Sequence, residues 1–206
     1  MDYKSRNIAV YSGSFNPLHI GHLAVIRHMI EVAGFDMVYL IVSPKNPLKD
    51  GISSDSGRER YMAAVEAVER RFPHSGLSTS GRNDSKAVEA RVKVDDIELN
   101  MPEPHYTIRT LDALKEREPE NRFTLVMGAD NLADIRRWRD YTRILKEYAV
   151  AVFPREGHDL TEIKQDLMKE DPAYGIQILD ADMVNISSTQ IRSAITVGED
   201  ISRYLM

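Results

Sequence analysis

Short runs of Val, Ile, Leu and Phe recur along the chain, at Asn7–Tyr11, Met37–Val42, Phe123–Met127, Ala149–Phe153 and Ile176–Leu179. Most are apolar at nearly every position instead of alternating with polar residues, so they predict strands covered on both faces. Segments of helical period lie between them. The chain therefore reads β-α-β-α, which predicts an α/β fold with a mainly parallel sheet flanked by helices.

The first helix is expected from about Ile20 to Ala33, stopped by Gly34. Ser56 to Glu59 reads as a capping box opening a second helix, with Met62, Val65, Val68 and Phe72 as its apolar stripe. A third begins near Tyr106 and Thr107, with Ile108, Leu111 and Leu114 on one face, and a last one runs from SSTQIRSAI to just before Gly198. Residues 74–90 are polar, rich in Gly and Ser and without period. They predict a surface excursion within one domain spanning 1–206, since strand-like residues resume beyond it.

Two stretches carry candidate chemistry. In YSGSFNPLHIGH, Tyr11 to His22, a strand runs through a Gly/Ser turn and a proline into a helix. Helix N-termini offer unpaired N–H groups and partial positive charge, which suit phosphate. Gly13 lets backbone approach a ligand, and His19 and His22, three residues apart, share a helix face and can place two imidazole donors on one phosphate. The stretch lacks both the Walker A and the G-x-G-x-x-G patterns. Read without other context, the two histidines are a helix cap; a metal site would need more ligands than they supply. In NISSTQIRSAI, Asn185 to Ile195, Ser187, Ser188 and Thr189 are of the N-cap type and Arg192 lies one turn inside. An ordinary capped helix explains that stretch alone equally well.

Charge and composition narrow the partners. Apolar residues at 42% and charged ones at 29% mark a globular chain, and the absence of cysteine removes thiol nucleophiles, disulfides and thiolate metal sites. A net charge of -5 argues against nucleic-acid binding, although a local His/Lys/Arg cluster can still hold small anions. No apolar run is long enough to span a bilayer and the start has no cleavage-like site, so no membrane partner and a cytoplasmic location are expected.

GSFNPLHIGH together with ISSTQIR resembles the nucleotidylyltransferase superfamily, which shares an H-x-G-H motif at its first helix and I-S-S-T-x-x-R at a late one. VSPKNPLK (Val42 to Lys49), PHYTIRTLDAL (Pro104 to Leu114) and LVMGADNLADIRRWRDYTRIL (Leu125 to Leu145), in that order, are similar to bacterial nicotinate-nucleotide adenylyltransferases. Asn16 stands where that family usually has Asp, and NPLK where it usually has a Pro-Pro-His loop.

The resemblance implies a single Rossmann-like domain that transfers AMP from ATP to nicotinate mononucleotide, with magnesium carried by the phosphates. It implies that His19, His22, Arg192 and Lys45 act on the phosphates. Gly13, Ser14, Phe15, Asn16, Gly128, Asp130, Ile186, Ser187, Ser188 and Thr189 would then line the ATP site. Asn46, Lys49, Tyr106, Thr107, Trp138 and Arg139 would line the acceptor site, with Trp138 against the pyridine ring. The attacking phosphate is already largely ionised near neutral pH, so no general base is required. A sister enzyme using nicotinamide mononucleotide or phosphopantetheine, or a regulatory module that binds nucleotide without turnover, are the alternatives. Homo-oligomerisation is left open. His28, His74, His105 and His158 receive no role.

Overall fold

A computed structural model describes residues 5–44, 57–72, 91–181 and 188–205. Six strands form one sheet: β1 (Asn7–Gly13), β2 (Met37–Val42), β3 (Val92–Asp95), β4 (Arg122–Gly128), β5 (Val150–Phe153) and β6 (Ile176–Ile178). Their order is β3-β2-β1-β4-β5-β6, and every pairing is parallel. The helices are α1 (Ile20–Glu31), α2 (Gly57–Arg71), α3 (Thr107–Arg117), α4 (Ala129–Ala133), α5 (Tyr141–Arg143), α6 (Leu160–Glu170) and α7 (Ser188–Thr196).

Successive strand residues point to opposite faces, and the core divides accordingly. Ala9, Val38, Leu40, Val42, Val126 and Ala151 pack on one side with Ile26 and Met29 of α1 and Val68 of α2. Ile8, Val10, Ile41, Leu125, Val150 and Val152 pack on the other with Ile108, Leu111 and Leu114 of α3 and Leu167 of α6. Because both faces are covered, the central strands are apolar throughout, which is why they stand out in the sequence.

Three expectations change. Strand β3 lies just past the polar stretch; its four residues, VKVD, give too little apolar signal to be read as a strand. The buried side of α2 is Arg60, Ala64, Ala67 and Val68, continued by Phe72, whereas Met62 is 57% exposed. The packed face is thus rotated from the expected stripe and built on small residues that let α2 approach the sheet. Helix α1 ends at Glu31, with Gly34 beyond it at φ +76°. Ser56 of the expected capping box and the stretch 74–90 lie outside the described residues.

In a parallel sheet all strands end at one edge, and strand order reverses between β1 and β4. Chains leaving those two strands pass to opposite faces and leave a crevice beyond Gly13 and Gly128. Among the described residues no helix is long and apolar enough to cross a membrane.

Leu111→Ala is expected to destabilise the protein by ~2–5 kcal/mol, because its side chain is fully buried and the cavity cannot close. Met62→Ala should stay within about 0.5 kcal/mol of the parent. Urea unfolding of the first variant checks the packing of α3 on the sheet, and of the second the assignment of the α2 face.

Candidate active site

The crevice begins where β1 runs into α1. Phe15 holds φ +43°, an unfavourable value for a residue with a side chain, and is kept there by burial of its ring. That ring stands edge-on to Tyr11 (5.6 Å) and to His22 (5.2 Å), and Tyr11 stands edge-on to Phe153 (6.0 Å). A Cβ at position 13 would lie 3.2 Å from the Phe15 ring, so Gly13 makes this turn fit. The aromatic cluster forms a floor under the histidines.

His19 is the N-cap of α1. The Gly21 N–H donates to His19 Nδ1 (3.2 Å), and the His19 N–H donates to His22 Nδ1 (3.1 Å), a capping box made of two histidines. The rings lie 3.7 Å apart and 34° from parallel. A backbone N–H can only donate, so each Nδ1 must be the unprotonated nitrogen. Each neutral ring therefore carries its hydrogen on Nε2. The cap and the phosphate-donor readings are thus one arrangement: the Nδ1 atoms close the helix, and that fixes both Nε2 atoms as donors.

Both rings are held neutral. Burial, then the nearby Arg155 guanidinium, brings the His19 pKa down to about 4. Burial, then His19, then Arg155 hold His22 well below the ordinary histidine value. The cation of this region is therefore arginine. Arg155, two residues past β5, stacks over Phe153 at 5.1 Å, and its Nε would lie 3.3 Å from a Cβ on Gly128. Asp130 Oδ1 would sit against that same Cβ, so the bare Gly128 lets the acid and the arginine share the end of β4.

The second motif docks on the first. Arg192 of α7 donates to the Asn16 carbonyl (2.8 Å) and to Thr189 Oγ1 (3.0 Å), and Ser188 Oγ donates to the Pro17 carbonyl (3.3 Å). Farther along, Leu205 bridges to His19. The structure thus brings together Gly13, Ser14, Phe15, Asn16, His19, His22, Gly128, Asp130, Ser188, Thr189 and Arg192.

The residues expected to line an acceptor site stand elsewhere along the same edge. Tyr106 is the N-cap of α3 and Thr107 its first residue; no side chain caps that helix end. Tyr106 and Trp138 are both half-buried at the margin of the core layer under α3. Arg139 is exposed and pairs with Asp140 at 3.5 Å. Among the described residues no hydrogen bond or ion pair joins this group to the histidine pair. Lys45, Asn46, Lys49, Ile186 and Ser187 lie outside the described residues.

Sequence reasoning missed Arg155 and Arg60. Arg155 had a signal, because it follows the carboxyl end of a central strand. Arg60 had none: in RERYMAA it reads as a solvated helix face, yet it is only 3% exposed. Among the described residues no group of three or more His, Cys, Asp or Glu could hold a metal ion. The arrangement suits a ligand with several phosphates, which would meet two neutral N–H donors flanked by two guanidinium groups.

The sequence model of the cytidylyltransferase-like family matches residues 10–194. A Flavobacterium johnsoniae protein described as a probable nicotinate-nucleotide adenylyltransferase is 34% identical over 198 residues, covering 96% of this chain and 91% of the relative. A Porphyromonas gingivalis protein with the same description is 35% identical, covering 95% and 87%. A solved structure of Plasmodium falciparum nicotinic acid mononucleotide adenylyltransferase complexed with NaAD shares the fold, with a TM-score of 0.73 at 21% identity, covering 97% of this chain and 90% of that one.

The neutral rings set a pH dependence. The unfolded chain binds protons on His19 and His22 below about pH 6.5, whereas in the folded protein His19 resists protonation down to about pH 4 and His22 is held well below the ordinary histidine value. Between those values the unfolded state holds more protons, so stability falls as pH falls. Urea midpoints measured from pH 7 to 4.5 should decrease, and less so for His19→Gln. Nitrogen NMR of labelled histidine should show Nε2–H tautomers for both residues at pH 7.

Proposed function

Because the chain belongs to the nicotinate-nucleotide adenylyltransferases of the cytidylyltransferase-like family, we propose that it transfers AMP from ATP to nicotinate mononucleotide. The products are deamido-NAD and pyrophosphate. The observation that carries this reading is the histidine capping box, which fixes both Nε2 atoms as N–H donors where strand order reverses.

ATP enters as its magnesium complex, with the ion carried by the phosphates. In this reading His19 and His22 donate through Nε2 to the α- and β-phosphates. The acceptor phosphate attacks the α-phosphorus in line, and the bond to the β,γ-pyrophosphate breaks. The rings need not transfer a proton, because the nucleophile is already ionised; their depressed pKa suits donors that stay neutral. Charge developing on the leaving pyrophosphate falls to Arg192, already aimed at the turn, with Ser188 and Thr189 beside it, and to Arg155 from the opposite wall. Gly128 leaves room for adenosine, and Asp130 takes a ribose hydroxyl. At the far end of the crevice, Tyr106, Thr107, Trp138 and the backbone at Arg139 take the pyridine ring and its carboxylate. Lys45, Asn46 and Lys49 take the acceptor's phosphate.

The test is pyrophosphate release from ATP and magnesium with nicotinate mononucleotide, nicotinamide mononucleotide or phosphopantetheine as acceptor. Strong preference for the first is expected. Preference for another would remove the roles given to Tyr106, Thr107 and Trp138, and ATP binding without turnover on any acceptor would make the protein a nucleotide sensor.

His22→Ala should lower kcat by about 10²–10³ in a protein that still folds, the usual consequence of losing one transition-state donor. Near-parental turnover in the folded variant would remove that role. The acid limb of kcat/KM should follow the second ionisation of the acceptor phosphate, near pKa ~6, and not a histidine.

A further inference from the structure

Arg60 is a charged side chain almost sealed from solvent, and its contacts join two segments that the sequence keeps far apart. Its Nη1 donates to the Ser14 carbonyl (2.7 Å) and the Ser43 carbonyl (2.8 Å), and its Nη2 to the Pro44 carbonyl (2.7 Å). Ser14 belongs to the turn between β1 and α1, directly before the strained Phe15. Ser43 and Pro44 form the exit of β2.

A guanidinium group stays charged, so burying it is costly unless its fork of N–H groups is matched by acceptors. Here carbonyl oxygens from two loops converge on one planar group. Lysine would offer a point charge in place of the fork and could not hold the same three in one plane.

Further contacts tie the same place together. The Ser43 N–H donates to the Gly13 carbonyl at 2.9 Å, so the β2 exit is bonded to the end of β1 from a second side. A Cβ on Gly57, the first residue of α2, would come within 3.0 Å of Pro44 and 2.8 Å of Leu99. The first turn of α2 is therefore seated on the β2 exit, and Arg60, one turn later, reaches from that seat to the turn below the histidines.

We infer that Arg60 is a positioning residue that locks the β1–α1 turn to the β2 exit, so that a ligand on the turn also orders the β2 exit. It touches no substrate. It acts through the backbone at Ser14, which sets Phe15 and hence the ring packed against His22. The inference rests on the proposed function only in taking ATP as the ligand of the turn.

The experiment is hydrogen–deuterium exchange of the intact protein with and without a nonhydrolysable ATP analogue, on the parent and on Arg60→Lys and Arg60→Met. In the parent, the analogue is expected to slow exchange at residues 13–19 and also at the Ser43 amide. Protection confined to 13–19 would overturn the inference, and no binding of the analogue to the parent would overturn the functional reading instead.

In the variants, slowing at 13–19 should persist while that at Ser43 is lost, and kcat/KM should fall about 10- to 100-fold, the scale of a misplacement near one ångström. A variant with lower thermal stability but parental kcat/KM and parental protection at Ser43 would make Arg60 merely structural and overturn the inference. If the methionine variant fails to fold, the lysine variant and the parental exchange pattern decide the question.

Discussion

The reversal of strand order between β1 and β4 constrains everything built above it. Two parallel strands whose continuations leave on opposite faces cannot close the space beyond their ends. That space is then bordered by backbone N–H groups and helix N-termini, whatever side chains occupy them. The particular residues decide how the opening is used. Gly13 and Gly128 keep its two walls low, and Phe15 gives up a comfortable backbone conformation to floor it with an aromatic ring. The last helix returns to close one side with Arg192.

The electrostatics follow from burial as much as from composition. In a chain of net charge -5, positive potential for an anion must be made locally. Two histidines as close as 3.7 Å cannot both be charged without strong mutual repulsion, and the arginine beside them makes protonation harder still. Their contribution is geometric: two directed N–H groups whose tautomers the helix backbone dictates. The permanent charge comes from guanidinium groups.

Much of this was legible in the sequence where physical constraints leave a periodic or local mark. The buried central strands show as apolar runs, and the capping histidines and Arg192 sit in motifs whose spacing places each at a helix end. Most of what escaped notice had no such mark, Arg155 past the end of β5 being the exception. Strand β3 is short and half polar. Helix α2 buries alanines, which carry little hydrophobic signal, so the larger Met62 drew attention to the wrong face. Arg60 is buried only because three carbonyls from elsewhere in the fold meet there, a convergence with no local signature. Arg155 lies in a loop, and the spatial order of strands brings its charge close enough to act on the histidines.

The outermost strands, β3 and β6, are short, four and three residues against seven for β1 and β4. A sheet rim is where another chain can add itself by backbone pairing, and a short rim gives such an intruder few bonds to make. On one side Lys93 stands exposed within the strand, and the buried carboxylate of Asp95 ends it, gripped by Arg117 and Lys93. The apolar centre that makes the fold stable is thereby kept several strands away from any edge on which it could template aggregation.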